Sequence, residues 1–374
     1  MRILVTSTDV MMYLFLVPHV NSLIKDGHSV DIAISRADEY HDFDYPAQIR
    51  EMLPDDCQIH VISSVRSPYS LKNIPVIREL SAILSSGSYD LLWTNEPVVG
   101  VVSRIANSLA FNKRAKVLYL VHGFHFFKGS PLLNWAFFPV EFIMSFFTNY
   151  LVTINKTDYS FSKCFPWLKR FYIPGIGFDS LKFKNAPIEP SLRKELGVQN
   201  DSVMILAVGE LLPRKNHATL LKAFAKCKDP SSQLVICGIG GLYDDLVSLS
   251  LELGVNERVH FVGQRSDIDK IMKVSDIFIH PSVREGLGIA PLEAMAAGLP
   301  IVTSNAQGIV DYSVNDKTGF VFAPDDVDGF SHALSLLCGD PELRQRFGDF
   351  NSKRAFDFDL VNSIKAFSSL INKI

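Results

Sequence analysis

Short apolar runs rich in valine and isoleucine alternate along the chain with segments of helical period. Residues 2–8 (RILVTST) form the first run, and a helical pattern over about 14–26 ends at Gly27. Residues 29–35 (SVDIAIS) follow at once. A helix stop followed directly by a second strand is the spacing of a parallel βαβ unit. Residues 58–63, 90–95, 116–122 and 150–155 continue this first series. Ile173–Asp179 (IPGIGFD) then brings one proline and two glycines outside any periodic segment, which reads as a hinge. A second series follows, with strands predicted over 202–209, 232–238, 258–263, 276–282 and 300–305. The last stretch, 355–374, has the apolar spacing of an amphipathic helix, with Phe356, Leu360, Ile364, Phe367 and Leu370 on one face.

The pattern predicts an α/β protein of two doubly wound, Rossmann-like domains, residues 1–176 and 177–354. A terminal helix over 355–374 is free to return to the first domain. The chain's 374 residues, 47% of them hydrophobic, suffice for two cores and exclude a disordered or fibrous chain. A formal net charge of −3 gives no global positive field, so non-specific binding to nucleic acid is not expected. Five scattered cysteines have no paired metal-ligand spacing and read as reduced thiols of a cytoplasmic protein. The N-terminus lacks a basic region and a small-residue cleavage site, and reads as a buried strand rather than a signal peptide.

Between Gly129 and Asn155 the only formal charge is Glu141, and this aromatic stretch invites a transmembrane reading. Pro139 and Glu141 stand in its middle, and a single span would separate two halves of one domain. Two readings stay open there. One is a buried helix pair broken at Pro139; the other is an aromatic face over 135–147 that lies in a membrane interface.

Paired doubly wound domains place ligands at the carboxyl ends of their strands, in a cleft. The most informative segment, 280–305, follows a strand with the turn Glu285-Gly286-Leu287-Gly288 and then a helix over about 290–297, stopped by Gly298 and Pro300. Free backbone N–H groups at such a helix start suit a diphosphate. Glu285 and Glu293, eight positions apart, accept hydrogen bonds from hydroxyls on either side of it, as a nucleotide sugar presents. Their bland alternative is a turn residue and a solvated helix residue.

Three segments, EGLGIAPLEAMAAGLPIV (285–302), VGELLPRKN (208–216) and VHGFHFFKGSPLLNW (121–135), resemble glycosyltransferase family 4, in particular its members from bacterial polysaccharide and lipopolysaccharide synthesis. The resemblance covers nearly the whole chain and implies the two-domain GT-B fold. It implies that Glu285 contacts hydroxyls of the donor sugar, that Glu293 holds the ribose, and that Arg214 and Lys215 clamp the diphosphate beside Gly286, Leu287 and Gly288. Val262 and Arg265, in a loop like the family's base-bordering one, become nucleotide contacts. His122 is placed next to the reacting sugar, and Asn95, Glu96, His125 and Lys128 on the acceptor side. Two departures stand out. Glu210 occupies a position where the family often has arginine, and Thr6-Ser7-Thr8-Asp9 replaces a glycine-rich turn after the first strand.

The resemblance therefore implies retaining transfer from a UDP-sugar to a hydroxyl of a saccharide, carried on a polyprenyl diphosphate, at the inner face of the cytoplasmic membrane. No metal cluster such as a D-x-D pair stands at a strand end, so no metal or other cofactor is expected. A UDP-sugar epimerase of the same fold and a non-catalytic nucleotide-sugar-binding protein are the competing readings. A nicotinamide dehydrogenase lacks a complete fingerprint.

Overall fold

The computed structural model describes the chain except residues 36–43, 65–69, 113, 128 and 200. It divides into two compact units, residues 1–177 with 361–374, and residues 178–360.

In the first unit seven strands form one parallel sheet: β1 (Arg2–Thr8), β2 (Ser29–Ser35), β3 (Ile59–Ile62), β4 (Leu91–Asn95), β5 (Lys116–Val121), β6 (Tyr150–Thr153) and β7 (Lys169–Tyr172). Their order is 3-2-1-4-5-6-7, so the winding reverses between β1 and β4. The register there aligns Ile3 with Leu91 and Thr6 with Thr94. Both faces of the sheet are covered, and its central strands read as continuous apolar runs for that reason. Leu4, Leu92 and Val117 pack with Leu80 and Val102 in one core cluster. On β4, Trp93 stacks at 4.4 Å on Phe367 of the terminal helix Leu360–Ile371. That helix starts later than the sequence pattern implies, because Ala355–Phe358 forms a 3-10 turn whose Ala355 and Phe358 are buried in the second unit.

The second unit has a six-stranded parallel sheet: β8 (Met204–Val208), β9 (Gln233–Cys237), β10 (Val259–Phe261), β11 (Ile277–His280), β12 (Ile301–Ser304) and β13 (Gly319–Phe322). Its order, 10-9-8-11-12-13, reverses between β8 and β11. Phe224, Phe330, Leu334 and Phe347 fill a core cluster against it. Each reversal leaves a crevice at the strands' carboxyl ends.

Two short strands escaped the sequence pattern, β7 (KRFY) and β13 (GFVF). Both are sheet edges, where one row of backbone groups is unpaired and apolar burial is incomplete, so no continuous hydrophobic run marks them. The first helical stretch begins at Asp9, earlier than predicted, because Thr8 Oγ1 caps it by accepting from the Met11 N–H at 3.4 Å. The aromatic stretch corrects the buried-pair reading. It forms a 3-10 turn (Leu132–Phe137) and a helix (Phe138–Ser145) that Pro139 starts rather than breaks. Leu132 (88% exposed), Leu133 (86%) and Phe146 (62%) stand in solvent. Among the described residues no helix is long and apolar enough to cross a membrane.

Candidate active site

In the second unit, β8 ends at Val208 and the chain turns through Gly209 and Glu210 into a 3-10 turn, Pro213–Lys215. Asn216 closes that turn with φ at +59° and fixes it to two other loops. Its side-chain amide donates to the carbonyls of Pro281 at 3.1 Å and Pro324 at 2.7 Å. The Val283 N–H donates to the Arg214 carbonyl at 2.9 Å, so the loops after β8 and β11 form one surface. Gly209 and Gly238 meet so closely that a Cβ on Gly238 would lie 2.0 Å from the Gly209 carbonyl oxygen.

On that surface Glu285 is buried and three side chains converge on its Oε1. Lys215 Nζ donates at 2.5 Å, Ser282 Oγ at 3.0 Å, and His280 Nε2 lies at 3.2 Å. Arg214 stands at 3.7 Å. Burial alone would push this carboxyl up, but the Lys215 charge and the His280 hydrogen bond outweigh it and hold it well below the usual carboxylate range. His280 itself is driven down by burial, then drawn up by its hydrogen bond to Glu285. Arg214 is shared with Glu210, its partner four residues back, so Glu210 trims the positive charge that the basic pair presents.

After Glu285 the turn Gly286–Gly288 leads into the helix Ile289–Ala297, whose N-terminus carries no side-chain cap. Gly288 sits at φ +82°, a conformation other residues resist, and a Cβ there would meet the Tyr312 hydroxyl at 2.9 Å. A Cβ on Gly308 would fall 2.0 Å from the Gly286 carbonyl oxygen, and the Gly308 N–H donates to the Glu285 carbonyl at 3.1 Å. The turn is therefore rigid, and it leads into an uncapped helix start, which favours an anion. Leu287 is buried, so its side chain is withdrawn from solvent. Glu293 lies farther along the helix, and no described side chain hydrogen-bonds its carboxyl. Burial pushes its pKa up to about 7, with Lys182 pulling down and Asp269 pushing up. Near neutrality it can therefore donate to a hydroxyl or accept from one.

In the loop after β10, Arg265 is bound by both oxygens of Asp267, at 2.8 and 2.7 Å, and by Glu195 at 2.9 Å, so its charge is shared with two carboxylates. The Val262 N–H is spent on the Ile236 carbonyl, and Gly263 accepts from the Gly238 N–H.

In the first unit the reversal between β1 and β4 gathers the other candidates. Asn95 ends β4 and is fully buried. Its Nδ2 donates to the Thr6 carbonyl at 3.2 Å, which turns its Oδ1 toward His122 Nε2 at 3.1 Å. An amide oxygen only accepts, so Nε2 carries the ring proton and Nδ1 keeps its lone pair. Burial, helped by the nearby His19, lowers the His122 pKa to about 4, and the ring is neutral at physiological pH. Nitrogen NMR of labelled protein should show the Nε2–H tautomer at pH 6.5. Asn95→Asp should raise the ring's pKa by a unit or more, since a carboxylate beside it favours the imidazolium; an unmoved pKa would contradict the contact.

Glu96, next along, supplies what the missing glycines would. It holds φ at +61°, and its carboxylate accepts from the Thr8 N–H at 2.6 Å and from the hydroxyls of Ser7 and Thr8, each at 3.0 Å. The direct turn from β1 into helix is thus clamped by a side chain, at about 1–3 kcal/mol of backbone strain in Glu96. His125 packs against Phe137 with ring centroids 4.7 Å apart and the rings tilted by 40°. Lys128 lies outside the described residues.

His280, Ser282 and Asn216 were missed from sequence. His280 ends strand β11 as His122 directly follows β5, and the same strand-end argument points to it.

Two parallel, doubly wound units, one with an anion-ready turn beside a buried carboxylate and a basic pair, define a GT-B protein. Residues 189–354 match the model of the glycosyl transferases group 1 family. The protein named "Putative glycosyltransferase EpsD" of Bacillus subtilis is 33% identical over 312 residues, 82% of either chain. An Escherichia coli UDP-Gal:alpha-D-GlcNAc-diphosphoundecaprenol alpha-1,3-galactosyltransferase is 28% identical over 323 residues, covering 81% of this chain and 82% of that one. Among solved structures, Anabaena HepE in complex with UDP and glucose superposes with a TM-score of 0.82 at 20% identity over the whole of both chains, a likeness of fold. The chain belongs to the group 1 glycosyltransferases.

Proposed function

We propose that the protein transfers a sugar from a UDP-sugar to a hydroxyl of a lipid-linked saccharide, with retention of configuration and without a metal, in the synthesis of a bacterial surface polysaccharide. The observation that carries this reading is Glu285, a buried carboxylate kept ionised by Lys215 and His280 beside the glycine turn at the uncapped start of the helix Ile289–Ala297. Such an acceptor suits sugar hydroxyls, and the adjacent cations and helix start suit the diphosphate. Arg214 and Lys215 take the charge that the departing UDP develops, and Glu293 holds the ribose. His122 offers Nδ1 to a hydroxyl of the donor sugar. The acceptor oxygen bonds to the anomeric carbon as the bond to the diphosphate breaks, and its proton passes to the departing phosphate oxygen.

The relatives support the donor and acceptor classes: the E. coli enzyme is named for UDP-Gal and a diphosphoundecaprenol-linked sugar, and HepE was crystallised with UDP. The exposed aromatic surface over 132–147 supports peripheral contact with the cytoplasmic membrane. Thermal unfolding with UDP, GDP and ADP is the test. UDP at 100 times its dissociation constant adds about 2.7 kcal/mol, and the other nucleotides at equal concentration should add less. UDP release from a UDP-sugar that needs no added acceptor would favour an epimerase, and absence of any nucleotide shift would refute the donor assignment.

A further inference from the structure

The first unit contains a cavity of about 360 Å³, within the size range of ligand pockets, that the donor chemistry does not account for; its lining includes Glu96 and His125, which the resemblance places on the acceptor side. Its polar groups lie chiefly at the strand ends, with Thr8, Glu96 and His125 among them. The rest of its wall is apolar, formed by side chains such as Val98, Val101, Phe126, Phe137 and Val140.

Tyr119 and Glu141 also line it, yet both are already committed. The Tyr119 hydroxyl donates to Glu141 Oε1 at 3.0 Å. Arg104, itself 1% exposed, donates to Oε2 from two nitrogens at 3.2 and 3.3 Å and lies 4.2 Å over the Tyr119 ring. The remaining guanidinium nitrogen, Nε, donates to the Gly100 carbonyl. The buried charge is therefore neutralised within the wall and presents no free partner to a ligand. A saccharide against the apolar wall would leave its hydroxyls unsatisfied, at a cost of about 1–3 kcal/mol for each one buried. A hydrocarbon would lose nothing there and gain from leaving water.

The helix that supplies Val140 and Glu141 has a second apolar side. Ile143 and Phe146 are exposed on it, and Trp167 stacks on Phe146 at 4.6 Å with the rings within 12° of parallel. Exposed aromatic and aliphatic side chains in such number mark a lipid or protein contact rather than ordinary surface. One short element thus joins an apolar cavity to an apolar exterior.

We infer that this cavity holds the first hydrocarbon units of the lipid that carries the acceptor saccharide, with the lipid's polar end toward the strand ends. This rests on the acceptor class proposed above and specifies where its chain sits.

Binding of farnesyl diphosphate to the full chain tests it, with inorganic diphosphate as the head group alone and dihexanoyl phosphatidylcholine as an acyl lipid. Farnesyl diphosphate should bind at least tenfold tighter than either. Val98→Trp and Val140→Trp, both at half-buried wall positions, should each weaken it at least tenfold, while the UDP-induced thermal shift stays as in the parent protein and reports an intact second unit. Farnesyl diphosphate no tighter than inorganic diphosphate, or unaffected by either tryptophan, would overturn the inference. Equal affinity for the phosphatidylcholine would overturn the assignment to the acceptor's chain. If UDP gives no shift but farnesyl binding is present and blocked by tryptophan, the donor reading fails and the cavity assignment stands.

Discussion

Glu285→Gln lowers the transfer rate by about 10²–10³-fold and leaves UDP affinity unchanged or slightly higher. The size follows from removing one preorganised charge aimed at the reacting sugar. The direction for UDP follows from the geometry. Lys215 gives its 2.5 Å contact to Glu285, and an amide oxygen there would hold the ammonium less strongly and leave more of its charge for a diphosphate. Glutamine also keeps an acceptor for Ser282. Alanine is the poorer probe, because it strands the Lys215 ammonium in a buried site, a loss of about 3–5 kcal/mol. Lost UDP binding in that variant would report misfolding as readily as chemistry. The decisive pair of numbers is kcat from acceptor-dependent UDP release and the UDP dissociation constant from calorimetry. If both fall together in the glutamine variant, Glu285 does not act on the sugar; if transfer stays within about threefold of the parent, it is dispensable.

What the sequence made legible here was the backbone of the site and not its ionic wiring. A glycine turn followed by a periodic apolar run fixed the helix Ile289–Ala297 to within one residue of its start, because left-handed glycines and burial periodicity are local signals. The strands β1 and β2 were legible in full for the same reason: residues buried on both faces leave a largely apolar record. Arg265 and Glu285 show where this stops. Both are charged residues in loops after strands, yet one shares its charge with Asp267 and Glu195 and the other is held ionised by Lys215, partners that only the folded loops reveal. The absent glycines after β1 could not be interpreted either, since their substitute, the Glu96 carboxylate, comes from a strand 88 residues away. The stretch 135–147 left two readings open, because an apolar run marks what avoids water without saying whether protein or another apolar phase covers it.

Lys215→Met has the second large effect, and its signature is a change in pH dependence. Loss of one charge-assisted contact to the diphosphate, about 1.5–3 kcal/mol, weakens UDP binding by roughly 10- to 150-fold. The variant also releases Glu285. In the parent protein that carboxyl lies well below its ordinary value, so its contribution to stability is complete above the unfolded carboxyl's pKa of about 4.3 and is lost only as pH falls through the lower folded value. Stability from this group is therefore flat through neutrality. Without the Lys215 charge, burial, the strongest influence on Glu285, pushes the carboxyl upward; His280 is itself driven toward neutrality, and Arg214 remains at 3.7 Å and shared with Glu210. The folded state then binds more protons than the unfolded one, and stability declines as pH rises above the unfolded value. Melting temperatures at pH 5, 6.5 and 8 should accordingly fall more steeply with pH for Lys215→Met than for the parent, whose own slope comes from its histidines and from Glu293. Lys215→Arg, which restores the charge, should return both the pH profile and most of the UDP affinity. A methionine variant that parallels the parent at all three pH values would show that Lys215 is not what keeps Glu285 ionised, and the coupling between the diphosphate clamp and the sugar-side carboxylate would have to be abandoned.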